Sequence, residues 1–351
     1  MKKQLLLGAP YLGLRIGPLV RKLGLGRNIR PDALRGKILV VDALVTIYQM
    51  LATIRGPDGY FLTDSRGRIT SHLVGIFNRE CRLMGMGIRS IYVFDGPPHP
   101  LKRRILKERR REKEKFLGKF LEAVRRGNVD QAIKLGKRAM FVTDDMVREA
   151  KTLIKLLGIP IVQAPHDAEA QAAYIVSRGQ AYALATRDWD AFLYGAPRII
   201  MHWRITPDEY LPSRLYELEE LLGAMGMDRR RLIDLAMLLG TDFNPGGFRG
   251  IGPKRAYGLI KTYGSVERLL ELGKIKWTWD ISPEDIRRVF LDPPRTDNYE
   301  ISFGEPDVDG LLDFLVGEHN FSPRRVKEQI RSAIRGLRRL GEQTRIDLFM
   351  G

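Results

Sequence analysis

Up to about residue 205, short apolar runs alternate with amphipathic or charged stretches. "KILVVDA" (37–43) reads as a buried strand, and "LVTIYQMLATI" carries on from it as a helix. "RSIYVFDGPP" (89–98) is a second strand, stopped at Asp95 by a Gly-Pro-Pro breaker. A long, highly charged helical stretch follows, "LKRRILKERRREKEKFLGKFLEAVRRG" (101–127). "DDMVREAKTLIKLLG" (144–158) predicts an amphipathic helix with a glycine stop, and "IPIVQAP" a short strand. "DAEAQAAYIVSRG" (167–179) predicts another helix leading into the strand "AYALAT", with a further strand at "PRIIMHW" (197–203). Beyond residue 205 the pattern turns helical, through "RLYELEELLGAMG" and "RRLIDLAMLLG".

Strands alternating with helices imply an α/β fold whose largely parallel sheet is covered on both faces. In such sheets the functional groups collect at the carboxyl ends of the strands. Asp42, Asp95, Asp188 and Asp190 all fall at or near strand ends in this pattern. Each acid has an ordinary structural role open to it. Asp42 suits a helix N-cap, Asp95 a turn, Asp167 and Glu169 a helix start, and Asp242 a loop. If the strand before "TRDWDAFLYG" (186–195) persists, Asp188 and Asp190 share one face and Trp189 turns away into packing.

The chain has 351 residues, with 44% hydrophobic and 29% charged, the balance of a globular protein. Its formal net charge of +17 and sequence pI near 10.0 point to a polyanionic partner, nucleic acid before an anionic membrane surface. A lone cysteine, Cys81, excludes an internal disulfide and suits a reducing intracellular setting, so a soluble cytoplasmic protein is expected. No apolar window is long enough to span a bilayer. Several carboxylates at one sheet edge, without paired histidines or thiolates, point to a hard cation such as Mg²⁺ or Mn²⁺. Two such ions could hold a scissile phosphate between an activated water and the leaving oxygen.

"VVDALVTIYQML", "ITSHLVGIFNR", "YVFDGPPHPLKRR", "APHDAEAQAAYI", "ATRDWDAFLYGAPR" and "LLGTDFNPGGFRGIGPKRA" stand in one order along the chain. In that order they resemble the flap endonucleases, structure-specific 5′ nucleases of replication and repair, from about residue 12 to the C-terminus. The resemblance implies a PIN-like nuclease fold interrupted by a helical arch. It implies two Mg²⁺ ions, replaceable by Mn²⁺, held by Asp42, Asp95, Asp167, Glu169, Asp188, Asp190 and Asp242. The family usually carries Glu where Asp167 stands, so this carboxylate is one methylene shorter.

Lys102 and Arg109, seven apart on the charged helix, match cations that contact the scissile phosphate; Tyr48 matches a base-stacking aromatic, and Arg79 a basic residue near the site. In "GGFRGIGPKRA" (246–256), Gly250 and Gly252 allow a tight turn and Pro253 opens a helix, with Lys254 and Arg255 at hand for a phosphate. In the family this is a helix–two-turn–helix that grips duplex DNA and binds K⁺. Gln343, Ile346, Phe349 and Met350 resemble a peptide that binds the sliding clamp, PCNA, with Met350 in place of a second aromatic.

The implied organisation is an N-terminal extension (1–11), an N-terminal nuclease region (12–100), the arch (101–143) and an internal nuclease region (144–240). The DNA-gripping and C-terminal helices (241–340) and the clamp-binding tail (341–351) complete it. "LGLRIGPLV" (12–20) resembles the family's Met-Gly start, which suggests natural initiation at residue 12 with Gly13 in the glycine's place. The short tail resembles archaeal members. A monomer cutting 5′-flap DNA, with 5′→3′ exonuclease activity and no membrane partner, is the expectation. A junction- or bubble-specific nuclease of the same superfamily and a catalytically inactive clamp adaptor are the alternatives.

Overall fold

The computed structural model describes residues 14–98, 100–102, 111, 122, 142–201 and 213–350, with only the backbone for Lys102 and for 342–350. Its centre is a seven-stranded sheet: β1 (Arg27–Ile29), β2 (Ile38–Asp42), β3 (Arg89–Phe94), β4 (Ile161–Gln163), β5 (Ala183–Ala185), β6 (Arg198–Met201) and β7 (Ser213–Glu217). The spatial order is β1-β7-β6-β5-β2-β3-β4. Strands β2 to β6 run parallel, while β7 lies antiparallel to both β6 and β1.

The described helices are α1 (Gly17–Lys22), α2 (Ala43–Thr53), α3 (Ser71–Gly85), α4 (Asp144–Leu156), α5 (Ala168–Ser177), α6 (Asp190–Leu193) and α7 (Leu218–Met225). They continue with α8 (Arg229–Leu239), α9 (Pro253–Tyr263), α10 (Val266–Glu271), α11 (Pro283–Leu291), α12 (Val308–Leu312) and α13 (Pro323–Met350). No helix among the described residues is long and apolar enough to cross a membrane.

The central strands are apolar on both faces because helices cover both. Val40, Ile91 and Val93 enter one core with α5 and α8, while Val41, Tyr92 and Phe94 enter the other with α2, α3 and α4. The period of two thus sends alternate residues of β2 and β3 to opposite faces of the sheet. β2 lies between β3 and β5, so the chain winds outward in one direction through β4 and then crosses back to begin the other half. That reversal falls at the carboxyl ends of β2 and β5, the kind of place where α/β sheets bind ligands.

Two sequence expectations need correction. "RLYE" is not the start of a helix: Ser213–Glu217 is strand β7, and only Leu218 onward coils. Leu215 and Tyr216 are both buried, and pairing with β1 and β6 supplies the backbone partners that a helix would otherwise provide. The strand before the Asp188–Asp190 pair also ends early, at Ala185. Asp188 lies in the loop after β5 and Asp190 opens α6, so a loop and a helix start, rather than strand geometry, orient that pair.

Candidate active site

Asp42 ends β2 and serves as the N-cap of α2, its Oδ1 accepting from the Val45 amide at 2.8 Å. The capping role and a place at the sheet edge therefore coexist in one side chain. Asp95 follows β3, and its Oδ1 accepts from the Ala168 amide at 2.7 Å. A carboxylate from a different strand thus caps α5, while Asp167, at the N-cap position, makes no side-chain cap of its own. The loops meet because of Gly96, whose amide bonds the His166 carbonyl at 2.7 Å. A Cβ there would stand 2.3 Å from the Ala164 carbonyl oxygen, so any larger residue would force the loops carrying Asp95 and Asp167 apart.

A relay of short contacts sets the other acids. Thr186 Oγ1 donates to Glu169 at 3.4 Å and accepts from the Asp188 amide at 3.1 Å. Asp188 Oδ1 accepts from the Asp190 amide at 3.2 Å, and Asp190 Oδ1 from the Leu14 amide at 2.8 Å. Buried Asp190 therefore pins the first described residue of the chain beside the acids. Trp189 does turn away, packing edge-on against Tyr216 at 4.7 Å. Asp242 sits in a loop closed by buried Asn244, which accepts from Thr241 Oγ1 at 2.7 Å and donates to the Met237 carbonyl at 2.7 Å.

The Tyr194 hydroxyl donates to Asp167 Oδ2 at 3.1 Å, and its ring packs on Phe290 at 5.0 Å. Burial first, and then the facing Asp167, Glu169, Asp190 and Asp242 carboxylates, hold this phenol well above its ordinary range. Those four acids therefore share one neighbourhood. Asp42 belongs to it as well: burial, then Asp95, with Asp167 adding to both, pushes its carboxyl up to about 8. Asp42 keeps part of its surface open to solvent, yet its carboxyl is hemmed in by protein.

Among the described residues no group of three or more His, Cys, Asp or Glu forms a ready-made metal cage. The donor set nevertheless fits a hard cation. It is all oxygen, and Asp42 faces Asp95 and Asp167 closely enough for repulsion to favour a proton, the condition that a divalent ion relieves.

A pH test follows from Asp42, whose folded carboxyl titrates near 8 against an ordinary 3.8. The metal-free folded state holds a proton that the unfolded chain releases, so stability falls as pH rises across that window. An ion replacing the proton should raise the melting temperature more at roughly pH 8.5, where the folded carboxyl has lost its proton, than at roughly pH 5.5, where it still holds it. Equal Mg²⁺-induced shifts at both pH values would remove Asp42 from the cation's neighbourhood.

The cationic and aromatic residues fall in three settings. Tyr48 is half-buried on α2, three residues beyond Val45, which is 45% exposed, so it lies on the helix face that opens to solvent. Arg79 is buried, donating to Tyr92 Oη at 2.6 Å, Glu80 at 3.1 Å and Thr46 Oγ1 at 3.3 Å. Lys102 ends a 3₁₀ turn, Pro100–Lys102, shortly after Asp95, while Arg109 lies outside the described residues, as do Gly13 and most of the expected arch.

Gly252 is the N-cap of α9, Pro253 its first residue, and exposed Lys254 and Arg255 flank a cavity of about 480 Å³. Gly250 has φ of +79°, a left-handed conformation that side chains resist, and Arg255 donates to its carbonyl at 3.3 Å. Gln343, Ile346, Phe349 and Met350 lie on the end of α13, whose side chains there are outside the described residues. Sequence reasoning missed Tyr194, Thr186 and Asn244. The spacing Asp190-to-Tyr194, one helical turn, was the available signal for the first.

The chain matches the XPG N-terminal domain over residues 16–116 and the XPG I-region over 158–242. It is 42% identical over 337 residues to flap endonuclease 1 of Caldivirga maquilingensis, covering 93% of this chain and 96% of that protein. The chain belongs to the flap endonuclease family. The same relation holds for flap endonuclease 1 of Pyrococcus horikoshii, 43% identical over 336 residues and covering 92% and 95% of the two chains. Among solved structures, flap endonuclease-1 from Methanococcus jannaschii superposes with a TM-score of 0.74 at 36% identity, over 93% of this chain and 99% of that one. The catalytic core of Rad2 in complex with DNA substrate gives 0.72 at 25% identity, over 92% and 99%. The chain is accordingly a structure-specific flap endonuclease that hydrolyses DNA phosphodiester bonds.

Proposed function

We propose that this flap endonuclease cuts 5′-flap DNA near the junction of single strand and duplex with two divalent ions, and also acts as a 5′→3′ exonuclease. The observation that carries this reading is the meeting of the acids beyond the strand ends, where burial and then the facing Asp95 and Asp167 push the Asp42 carboxyl up. Asp42, Asp95, Asp167, Glu169, Asp188, Asp190 and Asp242 would hold the ions. When bound, Mg²⁺ would supply an activated water and charge stabilisation on the scissile phosphate.

Lys102, close to Asp95 in sequence, and Arg109 add positive charge over that phosphate. Tyr48, on the open face of α2, stacks an unpaired base without reading it. Arg79 acts at one remove, because its buried guanidinium holds Thr46 of α2, two residues before Tyr48. The Gly250–Arg255 loop grips a duplex phosphate through the amides at the start of α9, and its turn offers carbonyls to K⁺. The end of α13 is the candidate sliding-clamp peptide.

A cleavage assay on 5′-flap, four-way-junction and nicked substrates, with Mg²⁺ and then EDTA, tests the reading. Flap cleavage abolished by chelation is expected, and preference for the four-way junction would overturn the substrate assignment. Lys102→Ala and Arg109→Ala should each slow single-turnover cleavage by about 10²-fold while weakening duplex binding far less. Equal losses in both would leave these cations a purely positioning role.

A further inference from the structure

The Tyr194 hydroxyl donates to Asp167, 3.1 Å from Oδ2. It stands at the C-cap of α6, four residues after Asp190, and its amide closes that short turn on the Asp190 carbonyl at 3.2 Å. One turn of helix therefore presents an acid and a phenol to the same neighbourhood. The ring cannot swing freely. It is buried, packs on Phe290 at 5.0 Å, and Phe290 is in turn met edge-on by Phe243 at 5.6 Å. Phe243 neighbours Asp242, so the aromatic stack joins two of the acid-bearing segments.

Asp167 stands at the N-cap position of α5. Its own helix is capped by Asp95 instead, through the Ala168 amide at 2.7 Å, and Asp167 makes no side-chain cap. An aspartate also has a short reach, so where its two oxygens point depends on what holds one of them. We propose that Tyr194 is a positioning residue for Asp167: its hydroxyl engages Oδ2 and thereby aims the other oxygen at the divalent cation. This rests on the metal-dependent reading of the site. It gives Tyr194 the role that outer hydrogen-bond partners play for metal-binding carboxylates, whose loss typically lowers metal affinity about 10–100-fold.

Tyr194→Phe removes the hydroxyl and keeps the ring, so the stack with Phe290 and the fold should survive. The decisive measurement is the Mg²⁺ dependence of the melting temperature without DNA, followed by the Mg²⁺ dependence of flap cleavage. The half-saturating Mg²⁺ concentration should rise by about tenfold in both, with KM for flap DNA unchanged. Asp167→Glu in the Tyr194→Phe background should bring it back toward wild type, because the added methylene extends the carboxylate. A Tyr194→Phe protein that melts lower but keeps the wild-type half-saturation would make the phenol merely structural and overturn the proposal. Failure of Asp167→Glu to restore Mg²⁺ affinity would overturn it as well. A wild-type protein with no Mg²⁺ response in either measurement would bring down the metal reading itself, an outcome distinct from the other two.

Discussion

Asp190→Asn is expected to abolish Mg²⁺-dependent cleavage, lowering the single-turnover rate by at least about 10²–10³-fold, while flap binding stays largely intact. The substitution separates the observed job of this carboxylate, holding Leu14, from the proposed one, holding a cation. Asp190 accepts the Leu14 amide at 2.8 Å, and an asparagine oxygen can still accept it, so the chain's early segment stays docked. What disappears is the negative charge that a cation needs. Asp190→Ala removes both, and it should melt at a lower temperature than Asp190→Asn because a buried amide loses its partner. Measuring cleavage, flap affinity and melting temperature on both variants separates the roles. Normal turnover by Asp190→Asn would take this residue out of the metal site.

The second large effect lies away from the acids. Arg287 is 1% exposed and reaches Asp234 at 2.5 Å and Glu267 at 2.8 Å, with Glu284 on its own helix as a third partner. It binds α8, α10 and α11 together. Arg287→Met keeps much of the volume but strands Asp234 in the core, and it should cost about 3–5 kcal/mol of stability.

The loss should depend on pH. Burial already pushes Asp234 up to about 6 despite the lowering by Arg287, so without the arginine it titrates higher still. Below about 6 the folded wild-type and variant proteins both hold Asp234 protonated, so the penalty of losing the arginine is small; it grows as pH rises through and beyond about 6, where only the wild type can ionise the acid against Arg287. Urea midpoints at roughly pH 5 and pH 8, either side of that value, provide the check. Identical deficits at both would mean that Asp234 is not the stranded charge. Cleavage should suffer too, since Phe290, three residues beyond Arg287, supports Tyr194.

The strand–helix alternation and the sites of the acids were legible because they depend on local chemistry. An aspartate at a strand-to-helix junction such as Asp42 is written by the apolar run before it and the helix after it. β7 was not legible in the same way. "SRLYE" runs directly into a helix-favouring stretch, and only β1, nearly two hundred residues earlier, and β6 give it strand partners. Pairing that depends on remote segments leaves little local trace.

The sequence by itself determined which acids stand near strand ends, the basic character and the family motifs, since charge, residue type and order need no third dimension. Tertiary structure alone decided how those acids are used. Asp95 caps a helix that Asp167 opens, Gly96 lets their loops touch, Asp190 holds Leu14, and Tyr194 holds Asp167. Each of these pairs, the Gly96–His166 loop contact included, joins residues that are tens or hundreds of positions apart. Folding brings them within hydrogen-bonding distance, and no local pattern encodes a partner that far along the chain.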